Sequence, residues 1–341
     1  MCGIAGLLGN GSLEDAISMA SIIGHRGPDG SGDFWADVEQ ADGSVAFSHA
    51  RLSIIDLDGS HQPIHSDHGC VLMVNGEIYN HKKIKSVLRD YPFRTAGDSE
   101  VIMALHRKYS WNQPIGENPA ERHIEWVSQL DGMWGFSLWD PKAKELILCR
   151  DHFGIKPLVR TQLSDGTLLF GSEVKAFRGH PDFSAKPDIS ALAVRLAYEY
   201  PLDQTTLFQG VTSVGIGTIE TWSLAEGKAT LTGVAKYWKP RVIPSKNWNP
   251  STRSSQLLDG LSGSIQDRLM ADVPVGIVLS GGLDSSLMAA LAHDAADSAG
   301  KPTPKCWTVA DSEENVDLQA SITVTKNLDL GHHVHIMDEN T

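Results

Sequence analysis

The chain has 341 residues, 41% hydrophobic and 21% charged, with a formal net charge of −13 at pH 7. That length suggests about two domains, and the ordinary composition excludes disordered and collagen-like classes. The acidic balance argues against a nucleic-acid binder, and no apolar run reaches the roughly 18–20 residues that cross a bilayer.

The first part, residues 1–200, reads as short strands separated by Gly, Asp and Pro turns, with helices between them. A helix over Leu13–Ile23 precedes strands at Val45–Phe47 and Cys70–Val74, the second running into Asn75-Gly76. Helices at Lys82–Leu88 and Asp98–Lys108 follow, the latter opened by Asp98-Ser99-Glu100, acidic residues suited to a helix N-terminus. Strands Trp134–Trp139, Glu145–Cys149 and Thr167–Phe170 complete a pattern that favours a layered α+β domain over a doubly wound one.

Residues 201–250 contain Pro201, Pro240, Pro244 and Pro250 and read as closing strands and a linker. From residue 251 to 341 the pattern changes. A helix over Ser254–Met270 is followed by strand Val275–Leu279, a loop over Ser280–Ser286 and a helix over Leu287–Ala296. A strand near Cys306–Val309, a helix over Leu318–Leu328 and a strand near His333–Met337 continue the alternation expected of a parallel α/β sheet.

The four cysteines, Cys2, Cys70, Cys149 and Cys306, lie far apart and show neither metal-ligand nor disulfide-framework spacing, so reduced thiols in the cytoplasm are expected. The apolar start lacks a basic n-region, which argues against a secretory signal. Cys2 has a separate meaning. Removal of Met1 makes it residue one, and an α-amino group, which in simple peptides titrates at about 7.7–8.0, then becomes a general base beside its own thiol. An amine left on Met1 would block that use. His332, His333 and His335 lie close in sequence, but no carboxylate or cysteine completes a recognised metal spacing.

Cys2-Gly3-Ile4-Ala5-Gly6 resembles the start of the class II glutamine amidotransferases, which are N-terminal-nucleophile hydrolases. The resemblance continues in order through His25-Arg26-Gly27-Pro28-Asp29, His49-Ala50-Arg51-Leu52-Ser53-Ile54 and Val74-Asn75-Gly76-Glu77-Ile78-Tyr79-Asn80. It then runs through Gly97-Asp98-Ser99-Glu100, Leu130-Asp131-Gly132-Met133, Arg150–Leu158 and Ser172–Ala176. It implies an α/β/β/α N-terminal-nucleophile hydrolase sandwich that hydrolyses glutamine at Cys2. The Asn75 side chain and the Gly76 N–H would be the oxyanion donors. Arg51 would grip the substrate carboxylate with its planar fork, and Asp98 would meet the substrate ammonium. Glu77, Ile54 and Ile55 would line the same pocket, with Arg26 and Asp29 ordering the loop over it.

Farther on, Ser280-Gly281-Gly282-Leu283-Asp284-Ser285-Ser286 lies between a predicted strand and a predicted helix, where backbone N–H groups suit a phosphate. No Gly-Lys-Ser/Thr follows, so it is not a Walker loop. With Met270–Gly276 upstream, it resembles the pyrophosphatase loop of the glutamine-dependent asparagine synthetases. That implies a partial α/β ATP-pyrophosphatase domain. Leu279 and Val309 would contact the nucleotide, Ser280, Gly281, Gly282, Asp284, Ser285 and Ser286 would hold its phosphates, and Asp284 would hold Mg²⁺. Aspartate would be the ammonia acceptor. Family members continue beyond Thr341, so the ATP half reads as incomplete, and a homodimer or a complementary synthetase chain is an expected partner. A stand-alone glutaminase and a non-catalytic subunit are the alternative readings.

Overall fold

A computed structural model describes residues 1–240 and 249–337. Contacts divide the chain into two compact units, Met1–Arg241 and Val242–Thr341.

The first unit opens with β1 (Gly3–Gly9), α1 (Leu13–Ile22), β2 (Gly30–Val38), β3 (Gly43–Arg51), β4 (Ile64–His65) and β5 (Val71–Ile78). Helices α2 (His81–Val87), α3 (Val101–Tyr109) and α4 (Ile124–Val127) follow, then β6 (Gly132–Asp140), β7 (Glu145–Arg150), β8 (Val159–Gln162) and β9 (Leu168–Gly171). Helix α5 (Ile189–Tyr198) and strands β10 (Thr212–Ser213), β11 (Thr218–Ala225) and β12 (Lys228–Lys236) close the unit.

These strands form two six-stranded sheets, ordered β10-β8-β9-β1-β3-β2 and β12-β11-β7-β6-β5-β4. Side chains alternate between the faces of a strand, and here both faces of each sheet find apolar cover. Ile4, Leu8, Val45, Phe47 and Phe170 of the first sheet meet Val71, Met73, Trp139, Leu148 and Trp222 of the second. The outer face of the first sheet packs Ala5, Leu7, Ala46 and Leu169 against Ala16, Met19 and Ala20 of α1. The outer face of the second packs Leu72, Val74, Phe136 and Leu138 against Val101, Ile102 and Leu105 of α3 and Trp126 of α4. The result is an α+β fold in four layers, helix, sheet, sheet, helix. Each large apolar side chain sealed in these layers contributes about 1.5–3 kcal/mol.

Local chemistry sets several boundaries. Ser12 caps α1 by accepting from the Asp15 N–H, and the Asp15 carboxylate returns the bond to the Ser12 N–H. Helix α3 begins at Val101, three residues after the expected Asp98, because the backbone there first makes tighter turn bonds, the Val101, Ile102 and Met103 N–H groups donating to the Asp98, Ser99 and Glu100 carbonyls. Strand β1 carries no polar alternation because all seven of its residues are buried.

The second unit contains α6 (Pro250–Arg268), β13 (Gly276–Val278), α7 (Leu283–Ser298), β14 (Lys305–Ala310), α8 (Val316–Asn327) and β15 (His332–Ile336). Its strands make a parallel sheet in the order β13-β14-β15. Leu279, Ala289, Cys306 and Leu330 form its small core. Helix α7 starts at Leu283, earlier than the expected Leu287, so Leu283–Ser286 are its first turn and the loop before it is only four residues long. Along β14 burial alternates strictly, with Cys306, Thr308 and Ala310 inside and Trp307 and Val309 exposed.

Candidate active site

Strand alternation assembles the first site. Cys2 continues the parity of Ile4 and Leu8, which face the second sheet. Arg51 and His49 share the parity of Val45 and Phe47, and Asn75 and Glu77 that of Val71 and Met73. All of these side chains therefore turn toward the space between the sheets, at the end where β1 begins and β3 and β5 finish.

Cys2 is half-buried. Its thiol accepts from the Leu52 N–H at 3.4 Å and lies 3.5 Å from the Leu52 carbonyl. Arg26 Nε donates to the Cys2 carbonyl at 2.9 Å, while its Nη1 donates to Glu173 at 2.7 Å. The Cys2 backbone is thus clamped by Arg26, which Glu173 holds in turn. Burial raises the Cys2 thiol pKa, the Leu52 N–H opposes that rise, and the Glu77 charge adds to it. Burial lowers the α-amine pKa of Met1.

Asn75 is 1% exposed, and neither its amide nitrogen nor its oxygen has a hydrogen-bond partner. An orphaned buried carboxamide is costly unless a ligand completes it. Gly76 beside it permits a close backbone approach: a Cβ there would stand 2.3 Å from the Met133 carbonyl oxygen.

Arg51 is buried and donates to the carbonyls of Asp56 at 2.8 Å and Leu57 at 3.0 Å. Asp98 accepts from the Ile78 N–H at 2.6 Å. Burial pushes Glu77 up to about 8, and the neighbouring Asp98 charge pushes the same way, while Lys156 opposes both. Asp98 is also raised, by burial first. Two crowded carboxyls short of cations are a fitting receptor for an ammonium. Ile54 and Ile55 are half-buried in the loop after Arg51, and Asp29 accepts from the Ser53 N–H of that loop at 2.8 Å.

Sequence reasoning missed two residues here. Asp56 accepts from the Ala96 and Gly97 N–H groups at 2.9 and 3.2 Å, so the loop that orients Arg51 is tied to the segment carrying Asp98. Its φ of +54° is unusual for a non-glycine residue, but nothing in the neighbouring sequence marks it. Lys156 lies within the Arg150–Leu158 block and is buried, with its charge acting on both Glu77 and Cys2.

In the second unit, Ser280 and Ser285 hydroxyls lie 3.0 Å apart, and the Ser280 hydroxyl accepts from the Gly282 N–H at 3.4 Å. Gly281 has φ +78°, and a Cβ there would stand 2.4 Å from the Ser321 nitrogen. Asp284 is exposed in the first turn of α7, and the Ser286 hydroxyl is buried without a partner. Val309 is 60% exposed near the carboxyl end of β14, whereas the Leu279 side chain is in the core and only its backbone can serve a ligand. One carboxylate beside hydroxyls fits a Mg²⁺ ion held mostly by phosphate oxygens. A larger cleft of about 830 Å³ lies at the amino ends of the strands, between Val275, Lys305, Trp307 and His333. That is the opposite end from where parallel sheets bind ligands, and it contains none of the loop residues. His332 Nε2 lies 2.8 Å from the Thr308 hydroxyl, and none of the three histidines belongs to a metal-type cluster among the described residues.

Residues 1–238 match the family model described as glutamine amidotransferase domain, and residues 256–341 match asparagine synthase. The chain is 31% identical to glutamine-hydrolysing asparagine synthetase 2 of Bacillus subtilis (strain 168), covering 98% of this chain and 43% of that one. It is 34% identical to glutamine-hydrolysing asparagine synthetase 2 of Oryza sativa subsp. japonica, over 85% of this chain and 41% of that one. The chain therefore spans less than half the length of these relatives. A solved structure of the allosteric regulatory enzyme of purine biosynthesis resembles it with a TM-score of 0.51 at 15% identity, over 98% of this chain and 80% of that one.

Proposed function

The chain belongs to the glutamine amidotransferase domain family, and on that premise we propose that it releases ammonia from glutamine at Cys2 and delivers it to asparagine synthesis. The observation that carries the first half is the orphaned Asn75 carboxamide turned into the same inter-sheet space as the Cys2 thiol.

With Met1 removed, the Cys2 amine accepts the thiol proton as sulfur attacks the glutamine carboxamide carbon. A base is needed because burial keeps this thiol protonated. Asn75 Nδ2 and the Gly76 N–H stabilise the oxyanion. Collapse breaks the carbon–nitrogen bond, the ammonium returns its proton to the leaving nitrogen, and ammonia departs from a γ-glutamyl thioester. Water then attacks the thioester with the amine as base, and glutamate is released. Arg51 exchanges its loop carbonyls for the substrate carboxylate, and Glu77 with Asp98 receives the substrate ammonium. Ile54 and Ile55 line the pocket.

The second unit is proposed to be part of an ATP-pyrophosphatase fold, with residues 1–200 as the glutaminase core, 201–250 as closing strands and linker, and 251–341 as the nucleotide part. Ser280, Gly281, Gly282, Ser285 and Ser286 would surround the phosphates, Leu279 and Val309 would meet the nucleotide, and Asp284 would hold Mg²⁺, which neutralises phosphate charge. The aspartate β-carboxylate attacks the α-phosphorus and pyrophosphate leaves. Ammonia then displaces AMP to give asparagine. A cytoplasmic location and a homodimer or complementary synthetase chain accompany this reading.

The test is glutamate and ammonia release from glutamine, repeated with ATP, Mg²⁺ and aspartate while asparagine and pyrophosphate are followed. Hydrolysis lost in Cys2→Ala supports the glutaminase, and no hydrolysis from protein with a verified Cys2 start refutes it. Pyrophosphate and asparagine formed together support the second half. Hydrolysis without either, even with the complementary chain supplied, refutes that half alone.

A further inference from the structure

The helix-covered face of the second sheet holds a second group of reactive side chains. Cys70 immediately precedes β5, Asp140 ends β6, and the two strands pair so that Val71 lies opposite Trp139. The next position along brings Cys70 and Asp140 together. Their parity is that of Leu72 and Leu138, which face α3, and His106 projects from α3 onto the same spot. The thiol sulfur, one imidazole nitrogen and one carboxylate oxygen all lie within 4.8 Å of one another, and all three residues are buried. His106 Nε2 and Asp140 Oδ2 are 3.5 Å apart.

We propose that Cys70, His106 and Asp140 bind one divalent transition-metal ion of the zinc class. Three observations carry this. First, His106 is 1% exposed and its Nε2 has no hydrogen-bond partner, although it is aimed at the carboxylate and the thiol. A buried imidazole nitrogen with no hydrogen-bond partner needs one, and a metal ion is a partner that the thiol and the carboxylate can also ligate.

Second, Asp140 divides its oxygens. Oδ1 accepts from the Lys142 and Ala143 N–H groups at 2.9 and 3.0 Å, leaving Oδ2 facing His106. Oriented carboxylates of this kind are typical supports of a metal centre. Third, the spacing is close. Bonds of about 2.0–2.3 Å in a tetrahedral site separate donors by roughly 3.3–3.8 Å; the observed triangle has one side of 3.5 Å and none above 4.8 Å, so a closure of about 1 Å at most reaches that.

Charge points the same way. Cys70 gives up its thiol proton to solvent as the metal–sulfur bond forms, so thiolate, carboxylate and a doubly charged ion sum to zero, which suits a dry interior. A sulfur, a nitrogen and an oxygen donor favour zinc over magnesium or calcium. The neighbouring ions do not compete: Glu145 is already paired with Arg122 Nη2 at 2.7 Å and with His123 Nε2 at 2.9 Å. The site is distinct from the nucleophile. Cys70 and Glu77 lie at opposite ends of β5, roughly 20 Å apart at strand rise, and turn to opposite faces.

The test is metal content by mass spectrometry on the whole chain, expressed with added zinc, alongside the absorption spectrum after refolding with Co²⁺. About one zinc per chain is expected, with a thiolate-to-cobalt charge-transfer band. Both should survive in Cys2→Ser and be lost in Cys70→Ser, with zinc also lost in His106→Gln. Folded wild-type protein lacking zinc and the cobalt band after both procedures would overturn the proposal. So would zinc content and a cobalt band unchanged in Cys70→Ser. Should the variants fail to fold, the wild-type band and its persistence in Cys2→Ser still decide, because a thiolate band absent from Cys2→Ser assigns the metal to the nucleophile instead.

Discussion

Asn75 sits in a strand that pairs with β6 along its whole length, yet its carboxamide bonds to nothing in the protein. Removing it therefore frees the interior of an unsatisfied group while removing the proposed oxyanion donor. Asn75→Ala is expected to lower kcat for glutamine hydrolysis by roughly 10²–10³-fold, with KM little changed and the thermal midpoint unchanged or raised. Steady-state kinetics and a melting curve check both halves of that statement. Glu77 makes an independent prediction. Its carboxyl is raised from 4.5 to about 8, so between those values the folded state binds a proton that the unfolded state has lost. Stability from this group thus falls as pH rises through that window. Glu77→Gln should match wild type near pH 4 and exceed its thermal midpoint at pH 8–9, at the cost of a higher KM for glutamine. Melting curves across pH test it, and a gap that closes at high pH would contradict the assignment. At this scale the sequence was informative wherever residues act as a block: Cys2, Arg51, Asn75, Glu77 and Asp98 all lie in contiguous motifs, and strand parity turns Cys2, Arg51, Asn75 and Glu77 toward the space between the sheets. Asp56 stayed hidden because its role lies in bonds to Ala96 and Gly97, about forty residues away.

Elements succeed or fail as frames for these groups. The loop after β3 is held by the Asp56 carboxylate, which bonds the Ser60 hydroxyl at 2.7 Å as well as the Ala96 and Gly97 N–H groups. Asp56→Ala should release both Arg51 and the Asp98 segment, raising KM for glutamine several-fold with a smaller effect on kcat. Equal losses in the two parameters would place Asp56 closer to the chemistry than the hydrogen bonds suggest. In the second unit Gly281→Ala forces a side chain into φ +78° against the Ser321 backbone, a strain of about 1–3 kcal/mol. Loss of any nucleotide response with unaltered glutaminase activity is expected, read by ATP-dependent pyrophosphate release and glutamate formation in parallel. Periodicity disclosed the half-buried strands and capped helices well. It gave nothing for β1, whose uniform apolar run has no alternation because both faces are buried, nor for β2, where Gly30, Gly32 and Asp33 dilute the strand signal. Helix α5 also passed unread. Cys70, His106 and Asp140 are more than thirty residues apart in succession and meet only when β5, β6 and α3 stack.

Among the described residues the cores are separate: the three apolar clusters of the four-layer sandwich draw on residues up to Trp238, and the buried members of those in the second unit on residues from Leu269. A fragment of residues 1–240 should therefore fold cooperatively and hydrolyse glutamine within a few-fold of the full chain; a molten or inactive fragment would refute the independence of the cores. The same architecture has a consequence for how the protein comes of age. Cys2 leads directly into β1, which lies in the interior of its sheet between β3 and β9. Arg26 and Leu52 then lock the first residues down. Met1 itself stays 55% exposed in the fold, but the residues that follow it are no longer a loose, extended end of the kind a trimming peptidase handles best. On the proposed mechanism, removal of Met1 is therefore expected to be faster before β1 pairs than after it. Copies that fold first would linger as well-formed but silent molecules, and later addition of the peptidase would wake them only slowly unless they were unfolded again.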